Sequence, residues 1–303
     1  MRVTNRMMGE DFLIHLRRNL NQMHKTQNQL TTGKMFSRPS DNPVMVSRAL
    51  SLETEVGRNA QYKRNIEDAS GWVETTDGAL NEIGASLNRL RELAIAAANG
   101  TNSDAEYKAY ETEVGQLIQG LSQIGNSKYD GRFLFGGTQT MESPLSTDEA
   151  MGQIVYHGNQ ERLRHEVLPG VRVEINITGH EIFEAKEDGG DSLSEVLAKF
   201  KKGLAEADSV ERKTIGGDIL KQLDEKIETV LSIRSKNGAT ANRLEAMLSL
   251  NDSEALNLTE LLSKAEDIDF AEKVMQFAMM ENAYKASLST GAKILQPTLL
   301  DYL

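Results

Sequence analysis

The amino-acid sequence predicts a mainly α-helical protein with a small β module. We expect an elongated out-and-back helical rod, with coiled-coil terminal helices, a bundle of long helices and a β-rich insert. The prolines leave two long windows, 44–143 and 170–296, free of a residue that breaks helices. Apolar residues recur every three or four positions over most of the chain, which is typical of helices that pack side by side, and the period changes to two only near the middle.

The first predicted helix, about 4–31, and the last, about 270–300, each carry a narrow apolar seam on a polar surface. A pair of such helices buries little apolar area, so we expect both to be mobile in the free monomer. On assembly they would pair with each other and with neighbouring copies. The predicted seam residues, including the apolar C-terminal tip, are Leu13, Leu16, Leu20, Met23, Leu30, Phe270, Val274, Phe277, Tyr284, Leu288, Leu295, Leu299 and Leu300.

Two longer helices are predicted over 43–98 and 211–266, with a shorter helical segment around 110–124. At 1.5 Å per residue, the outer pair of helices is roughly 45 Å long and the inner pair roughly 80 Å. The lengths match when they are counted from the two ends of the chain. We therefore expect the chain to go out and return along the same path.

A break at 33–43 separates the first two predicted helices. Gly33 can adopt the left-handed conformation that ends a helix, and Asn42 followed by Pro43 can cap and start the next one. Pro39 and Pro43 both disfavour helical geometry in the residue before them. An ordinary interhelix loop is the local alternative.

A shorter break at 266–269 separates the last two predicted helices, where Asp269 and Glu272 have the spacing of a capping box. Because the two breaks match, we interpret them as one joint between two helical layers. The predicted joint residues are Gly33, Pro39, Asp41, Asn42, Pro43 and Asp269.

The period of two near the middle predicts an antiparallel hairpin that turns at Pro169-Gly170. Its strands lie in "ERLRHEV" and "GVRVEINITG", and "GQIVYHG" before them is a plausible third strand. We therefore expect a small β module near 141–190.

These elements predict three domains. Residues 1–42 with 267–303 form a terminal coiled-coil assembly domain, residues 43–140 with 191–266 form a rod of long helices, and residues 141–190 form a β-rich outer domain.

Composition excludes several classes of function. The net charge is −11, whereas a nucleic-acid binder needs a basic face. The chain has no cysteine, so thiolate nucleophiles and thiolate metal sites are excluded. No apolar run approaches the ~20 residues that span a bilayer. The five histidines lack the spacing of a helical zinc pair, and no phosphate loop or dinucleotide fingerprint occurs. We predict no catalytic, metal or cofactor-binding residues.

Several stretches resemble the flagellin superfamily in combination. "QLTTGKMFSRPSDNPV" resembles the joint after the N-terminal helix, and its Ser-Asp-Asn-Pro form is closer to the hook-associated branch than to flagellin itself. The resemblance covers both terminal thirds of the chain. Its other motifs are "MRVTNRMM", "YDGRFLFGGTQT", "RSKNGATANRLE", "AEDIDFAEKV" and "LQPTLLDYL".

The resemblance implies a non-enzymatic structural protein that the flagellar type III apparatus exports. It implies a ring of subunits between hook-associated protein 1 and the flagellin filament, with an export chaperone as a further partner. Flagellin, the filament subunit, is the alternative within the superfamily. A helical chaperone or signalling module is the alternative from another class. An enzyme would need a Ser-His-Asp or His-Glu constellation in 141–190, which the sequence does not indicate.

Overall fold

The computed structural model describes residues 5–36, 38–99, 102–148, 153–184, 191–205 and 215–294. Long helices and short antiparallel strand pairs make up these residues, which confirms the predicted mainly α class with a small β module. The helices are α1 (Asn5–Thr32), α2 (Pro43–Ala98), α3 (Asp104–Gly125), α4 (Leu193–Ala205), α5 (Leu220–Glu266) and α6 (Phe270–Ile294). Short π-helical turns occupy His180–Glu184 and Ile215–Ile219.

The predicted bounds of the helices agree with the structure to different degrees. The segment predicted around 110–124 lies within α3, which begins earlier, at Asp104. The second helix begins and ends as predicted, at Pro43 and Ala98. The return helix α5 starts at Leu220, after a π-helical turn, rather than near 211. The seam positions Leu295, Leu299 and Leu300 lie outside the described residues.

Three two-stranded antiparallel sheets follow α3 in the described residues. Their strands are β1 (Lys128–Tyr129), β2 (Arg132–Phe133), β3 (Leu145–Asp148), β4 (Gln153–Tyr156), β5 (Arg164–Leu168) and β6 (Val171–Glu174). Strands β5 and β6 form the predicted hairpin around Pro169-Gly170, with Gly170 in the left-handed region at φ 73°. The strand predicted in "GQIVYHG" also forms, as β4, but it pairs with β3 in a sheet of its own.

Contacts divide the chain into two compact units. The terminal unit is Met1–Arg58 with Glu254–Leu303, and the central unit is Asn59–Ser253. Helices α2 and α5 contribute residues to both.

The central unit has one hydrophobic core, built on the predicted period of α2. Side chains of α2, α3, α4 and α5 meet there with apolar residues of the strands. The largest fully buried side chains, which mark the centre of this core, are Phe135, Phe183, Phe200, Ile66, Leu80, Ile83, Leu87, Leu90, Ile118, Leu121, Leu134 and Ile154.

Four polar residues interrupt the three-to-four spacing of apolar residues along α2 and α5, and each has a specific partner in the central unit. Thr76 donates to the Trp72 carbonyl at 2.8 Å within α2. The other three reach from α5 to α2, where Asn237 donates to the Val73 carbonyl at 2.9 Å, Arg234 binds Asp77 through two bonds of 3.0 Å, and Asn251 pairs with Asn59. These bonds satisfy side-chain donors that would otherwise be costly next to apolar residues, whereas Oδ1 of Asn251 is buried without a hydrogen-bond partner among the described residues.

Candidate assembly surface and joint

In the terminal unit, α1 and α6 pack against each other and run antiparallel. Oγ1 of Thr26, near the end of α1, donates to the Gln22 carbonyl at 3.1 Å and lies 3.7 Å from Sδ of Met280 on α6. Phe12, near the start of α1, lies against Gly291. A Cβ atom at Gly291 would overlap the Phe12 ring, so glycine is needed for this close approach. The first and last predicted helices are therefore partners within one chain.

This helix pair leaves much of its predicted seam exposed. Leu13 is 48% exposed, Phe270 61% and Val274 46%, and Leu288 is exposed as well. The other described seam side chains are half-buried: Leu16, Leu20, Met23, Leu30, Phe277 and Tyr284. One partner helix thus covers only part of each seam.

Further apolar side chains beside the seam are exposed and were not predicted. They are Met7 and Ile14 on α1, and Met275 and Met279 on α6. The three-to-four spacing missed them because it selects one line of residues, whereas the apolar surface is wider than that line. Of the 18 large apolar side chains exposed in the described residues, 13 belong to the terminal unit.

The two chain breaks are joined by backbone hydrogen bonds. Gly33 ends α1 with φ 74° and donates to the Gln29 carbonyl at 2.8 Å, which is the geometry of a left-handed helix cap. Beyond it, Lys34 and Asp267 form an antiparallel bridge. Ile268 donates to the Gly33 carbonyl at 3.1 Å.

The second bond of this bridge is donated by Met35 to the Glu266 carbonyl at 2.6 Å. The Met35 carbonyl in turn accepts a hydrogen bond of 2.5 Å from Nε2 of the Gln29 side chain. The segment after α1 and the segment before α6 therefore hold each other through their main chains.

The helices on either side of the joint start with side-chain caps. Asn42 Oδ1 accepts from the Met45 amide at 3.3 Å, with Pro43 as the first residue of α2. Asp269 Oδ1 accepts from the Glu272 amide at 3.1 Å, at the start of α6. These caps satisfy backbone donors that a helix start leaves without partners.

Asp41 and Pro39 lie in the exposed turn before α2. Asp41 accepts from the Arg38 amide at 3.3 Å, and Lys25 of α1 lies 3.6 Å from its carboxylate.

Lys34 adds ion pairs to the joint. Its Nζ lies 2.7 Å from the Glu266 carboxylate and 3.7 Å from that of Glu53. The hydrogen bond to Glu266 raises the pKa of Lys34 above its ordinary value. The lysine side chain is 45% exposed, so solvent limits the pair to about 1 kcal/mol or less. The backbone bonds, rather than this ion pair, define the joint.

Charge is distributed unevenly between the two units. The terminal unit has 13 Lys and Arg against 13 Asp and Glu, whereas the central unit has 21 against 32. The whole net charge of −11 therefore resides in the central unit. A neutral surface can approach a second copy of itself without net repulsion.

Elsewhere the described residues offer little chemistry. Within the described ranges no cluster of three or more His, Asp or Glu side chains is arranged to hold a metal ion. None of the described helices is long and apolar enough to cross a membrane. Pairing of β3 with β4 brings Ser146 Oγ to 2.8 Å from His157 Nε2, a contact the sequence did not predict. The pair is exposed at the surface, where it bridges neighbouring strands.

Comparison with known proteins finds relatives among bacterial flagellar proteins. Residues 3–140 match the model of the bacterial flagellin N-terminal helical region. Flagellar hook-associated protein 3 of Salmonella typhimurium strain LT2 is 26% identical over 307 residues, which cover 96% of each chain. Flagellin of Bacillus subtilis strain 168 is 26% identical over 308 residues, covering 98% of this chain and 97% of that one.

A solved structure agrees with these relatives. A putative flagellar hook-associated protein from Vibrio parahaemolyticus superposes with a TM-score of 0.67 and 25% identity, covering 75% of this chain and 100% of that one. The relatives are structural proteins of the flagellum, which confirms the prediction that the chain is not an enzyme. Together, the matching N-terminal region, the full-length relatives and the shared fold make this chain similar to flagellins and flagellar hook-associated proteins.

Proposed function

We propose that this chain is the structural adaptor at the bacterial flagellar hook–filament junction. It joins hook-associated protein 1 to the flagellin filament through a ring of subunits whose terminal helices polymerise. The full-length similarity to hook-associated protein 3 supports this role over that of a generic helical protein.

The observation that carries the proposal is the exposed apolar surface of the terminal unit. A soluble monomer rarely exposes a large contiguous apolar patch without a partner for it. Burial of such side chains against other subunits stabilises an assembly by about 25 cal/mol per Å². The neutrality of the same unit removes a barrier to packing copies side by side.

The role that we propose for each part of the chain follows the predicted domains. Residues 1–42 with 267–303 assemble, residues 43–140 with 191–266 form the long helical bundle, and residues 141–190 form an outer β-rich domain. The described contacts extend the terminal unit past both breaks, to Arg58 and from Glu254. The joint then transmits assembly of α1 and α6 to the helices that continue beyond it.

The proposed location is the extracellular flagellum, reached by type III export. An export chaperone would cover the apolar terminal surface before secretion, and hook-associated protein 1 and flagellin would cover it afterwards. Each partner replaces water on the same seam residues.

A deletion strain tests the function directly. We expect complete hooks, secreted flagellin monomer and no attached filament, with filaments restored when the gene is returned. Normal attached filaments in the deletion strain would refute the proposal.

Flagellin is the second candidate, since a flagellin is a relative over nearly the full chain. Purified chain that grows long filaments by itself would favour flagellin over the adaptor. A helical chaperone or signalling module, the candidate from another class, predicts that the chain binds flagellar proteins in the cell but is missing from isolated flagella.

A further inference from the structure

Methionine is concentrated in the terminal unit. Nine of the 12 methionines lie in Met1–Arg58 with Glu254–Leu303, although this unit is the smaller of the two. The chain has no cysteine, so methionine is its only sulfur-containing residue. Two-electron oxidants that act on protein sulfur therefore act mainly on the surface that we assign to assembly.

Two of these methionines are prominently exposed on one face of α6. Met275 is 56% exposed and Met279 is 61% exposed. They are four residues apart, so their side chains are neighbours on the helix surface. The seam residues Phe270 and Val274 are exposed on the same helix, which makes the two thioethers part of the apolar surface.

Met280, the next residue, is in a different environment. It is half-buried between α6 and α1, where its Sδ lies 3.7 Å from Oγ1 of Thr26, a residue that is only 2% exposed. This packing restricts the approach of an oxidant. Met280 therefore serves as an internal control for the rate of oxidation at Met275 and Met279.

We propose that Met275 and Met279 are a modification site, at which peroxides oxidise the thioethers and thereby prevent assembly. This inference rests on the proposed function of the terminal unit. The sulfur lone pair attacks one oxygen of hydrogen peroxide, so an S–O bond forms and the O–O bond breaks. After proton transfer the second oxygen leaves as water, with sulfur oxidised by two electrons and peroxide reduced by two.

The product is a methionine sulfoxide with a strongly polar S–O group in place of an apolar thioether. In the free chain this group lies in water and costs little. In an assembly it is buried against a neighbouring subunit, where a polar group without a partner is unfavourable. Oxidation should therefore leave the monomer folded and weaken assembly by about tenfold or more.

The test uses the purified full-length chain and hooks isolated from the deletion strain. The chain is treated with hydrogen peroxide, quenched and added to the hooks, followed by flagellin, and filaments per hook are counted. Peptide mass spectrometry follows oxygen addition at each methionine. We expect Met275 and Met279 to be oxidised before Met280, and the treated chain to attach at least about tenfold fewer filaments.

Matched variants locate the effect. M275L/M279L keeps apolar side chains of similar size but has no thioether at either position, so peroxide should not change the number of filaments that it attaches relative to its own untreated level. M141L removes a methionine that is 76% exposed in the central unit, and this variant should remain sensitive to peroxide. Circular dichroism reports whether each variant is folded, and a methionine sulfoxide reductase should restore attachment by the treated parent chain.

Two results would overturn the inference. One is normal attachment by chain that is oxidised at both sites, and the other is equal peroxide sensitivity of M275L/M279L. Failure of the proposed function would give a different result. The variant F277D places a charge in the predicted seam of α6, and without any peroxide treatment it would then attach as many filaments as the parent. If untreated F277D fails but oxidised parent succeeds, the assembly surface stands and the oxidation site is wrong.

Discussion

Asn59 and Asn251 exchange hydrogen bonds between α2 and α5, each donating from its side-chain amide to the main-chain carbonyl of the other at 3.3 Å. Both residues are buried, at 6% and 0% exposed. The two bonds fix which residues of the helices face each other, because a shifted α5 would place apolar side chains against these amides. A buried asparagine in a helical seam has this effect at some cost in stability.

Replacement of one of the two asparagines should destabilise the chain. N251L removes the side-chain donor to the Asn59 carbonyl, whereas the Asn59 side chain keeps its bond to the main-chain carbonyl of residue 251, so we expect a loss of about 1 kcal/mol in the free energy of unfolding. N59L/N251L removes both bonds and should lose about the sum of the single variants, since each side chain donates to a main-chain carbonyl that neither substitution removes. Urea unfolding followed by circular dichroism gives the double-mutant cycle. N257L, at an exposed position of α5, is the control and should change stability by about 0.5 kcal/mol or less. Single variants that are as stable as the parent would contradict the two bonds.

Two glycines of α2 should respond oppositely to alanine. A Cβ atom at Gly71 would overlap the Tyr129 hydroxyl and lie 2.8 Å from Cζ of the same ring, so we expect G71A to destabilise by about 1–3 kcal/mol. A Cβ atom at Gly78 meets nothing within 4 Å, so G78A should stabilise by about 1 kcal/mol through helix propensity. Thermal unfolding of both variants measures the difference. If G71A is as stable as G78A, the close approach of Tyr129 to α2 is wrong.

The start of α3 should depend on pH through Glu106. The carboxylate accepts from the Ser103 amide at 2.6 Å and from its hydroxyl at 2.9 Å, in a capping box. The bond from the Ser103 main chain lowers the pKa of Glu106 below its ordinary value of 4.5. A lowered pKa contributes stability that is present above pH 4.5 and is lost as the pH falls through the folded-state pKa.

We therefore expect the parent chain to be more stable than E106Q at pH 7, and this difference to shrink by pH 3. Chemical unfolding at both pH values measures the difference. S103A, which keeps the carboxylate but loses the hydroxyl, should show a smaller change than E106Q. A difference that is constant or grows with acid would contradict the capping box.

Polar substitutions in the seam should separate assembly from folding. L16D and F277D place a charge on half-buried positions of α1 and α6, so each should abolish filament attachment in the deletion strain. The central unit should keep its thermal transition, because its core contains neither residue. N19D and N282D add the same charge at exposed polar positions of the same helices and should attach filaments normally. Equal loss of attachment in all four variants would indicate a general charge effect.

Periodicity predicted the long helices well because their apolar faces are local patterns. The same periodicity does not explain why Asn237 and Asn251 interrupt the apolar positions of α5. Their partners, Val73 and Asn59, are more than 160 residues away in the sequence. Tyr129 against Gly71 is a long-range contact of the same kind. Such contacts depend on the fold, so a local pattern cannot supply them.

Other features have a local sequence signal that the spacing of apolar residues does not detect. The capping box has the Ser-x-x-Glu spacing, at Ser103 and Glu106. The turn between β1 and β2 is Asp130-Gly131, with φ 47° and 75°, and Asp-Gly is among the strongest hairpin signals. The β3–β4 pairing had none, because the alternation that marks a strand does not specify its partner.

The joint contains both kinds of feature, those with a local sequence signal and those without one. Gly33, Asn42 and Asp269 were predicted from helix-end chemistry, and each ends or caps a helix in the structure. The main-chain bridge of Lys34 with Asp267 has no side-chain signature, and only the matched lengths of the helices indicated that the two breaks meet. The function of these residues in assembly remains a prediction.

Amide hydrogen exchange, compared between the dilute monomer and the assembled junction, tests the central claim most directly. We predict that residues 5–32 and 270–294 exchange rapidly in the monomer and become protected on assembly, while the buried part of α2 is protected in both states. Strong protection of both terminal helices in the monomer, equal to that of α2, would contradict the account.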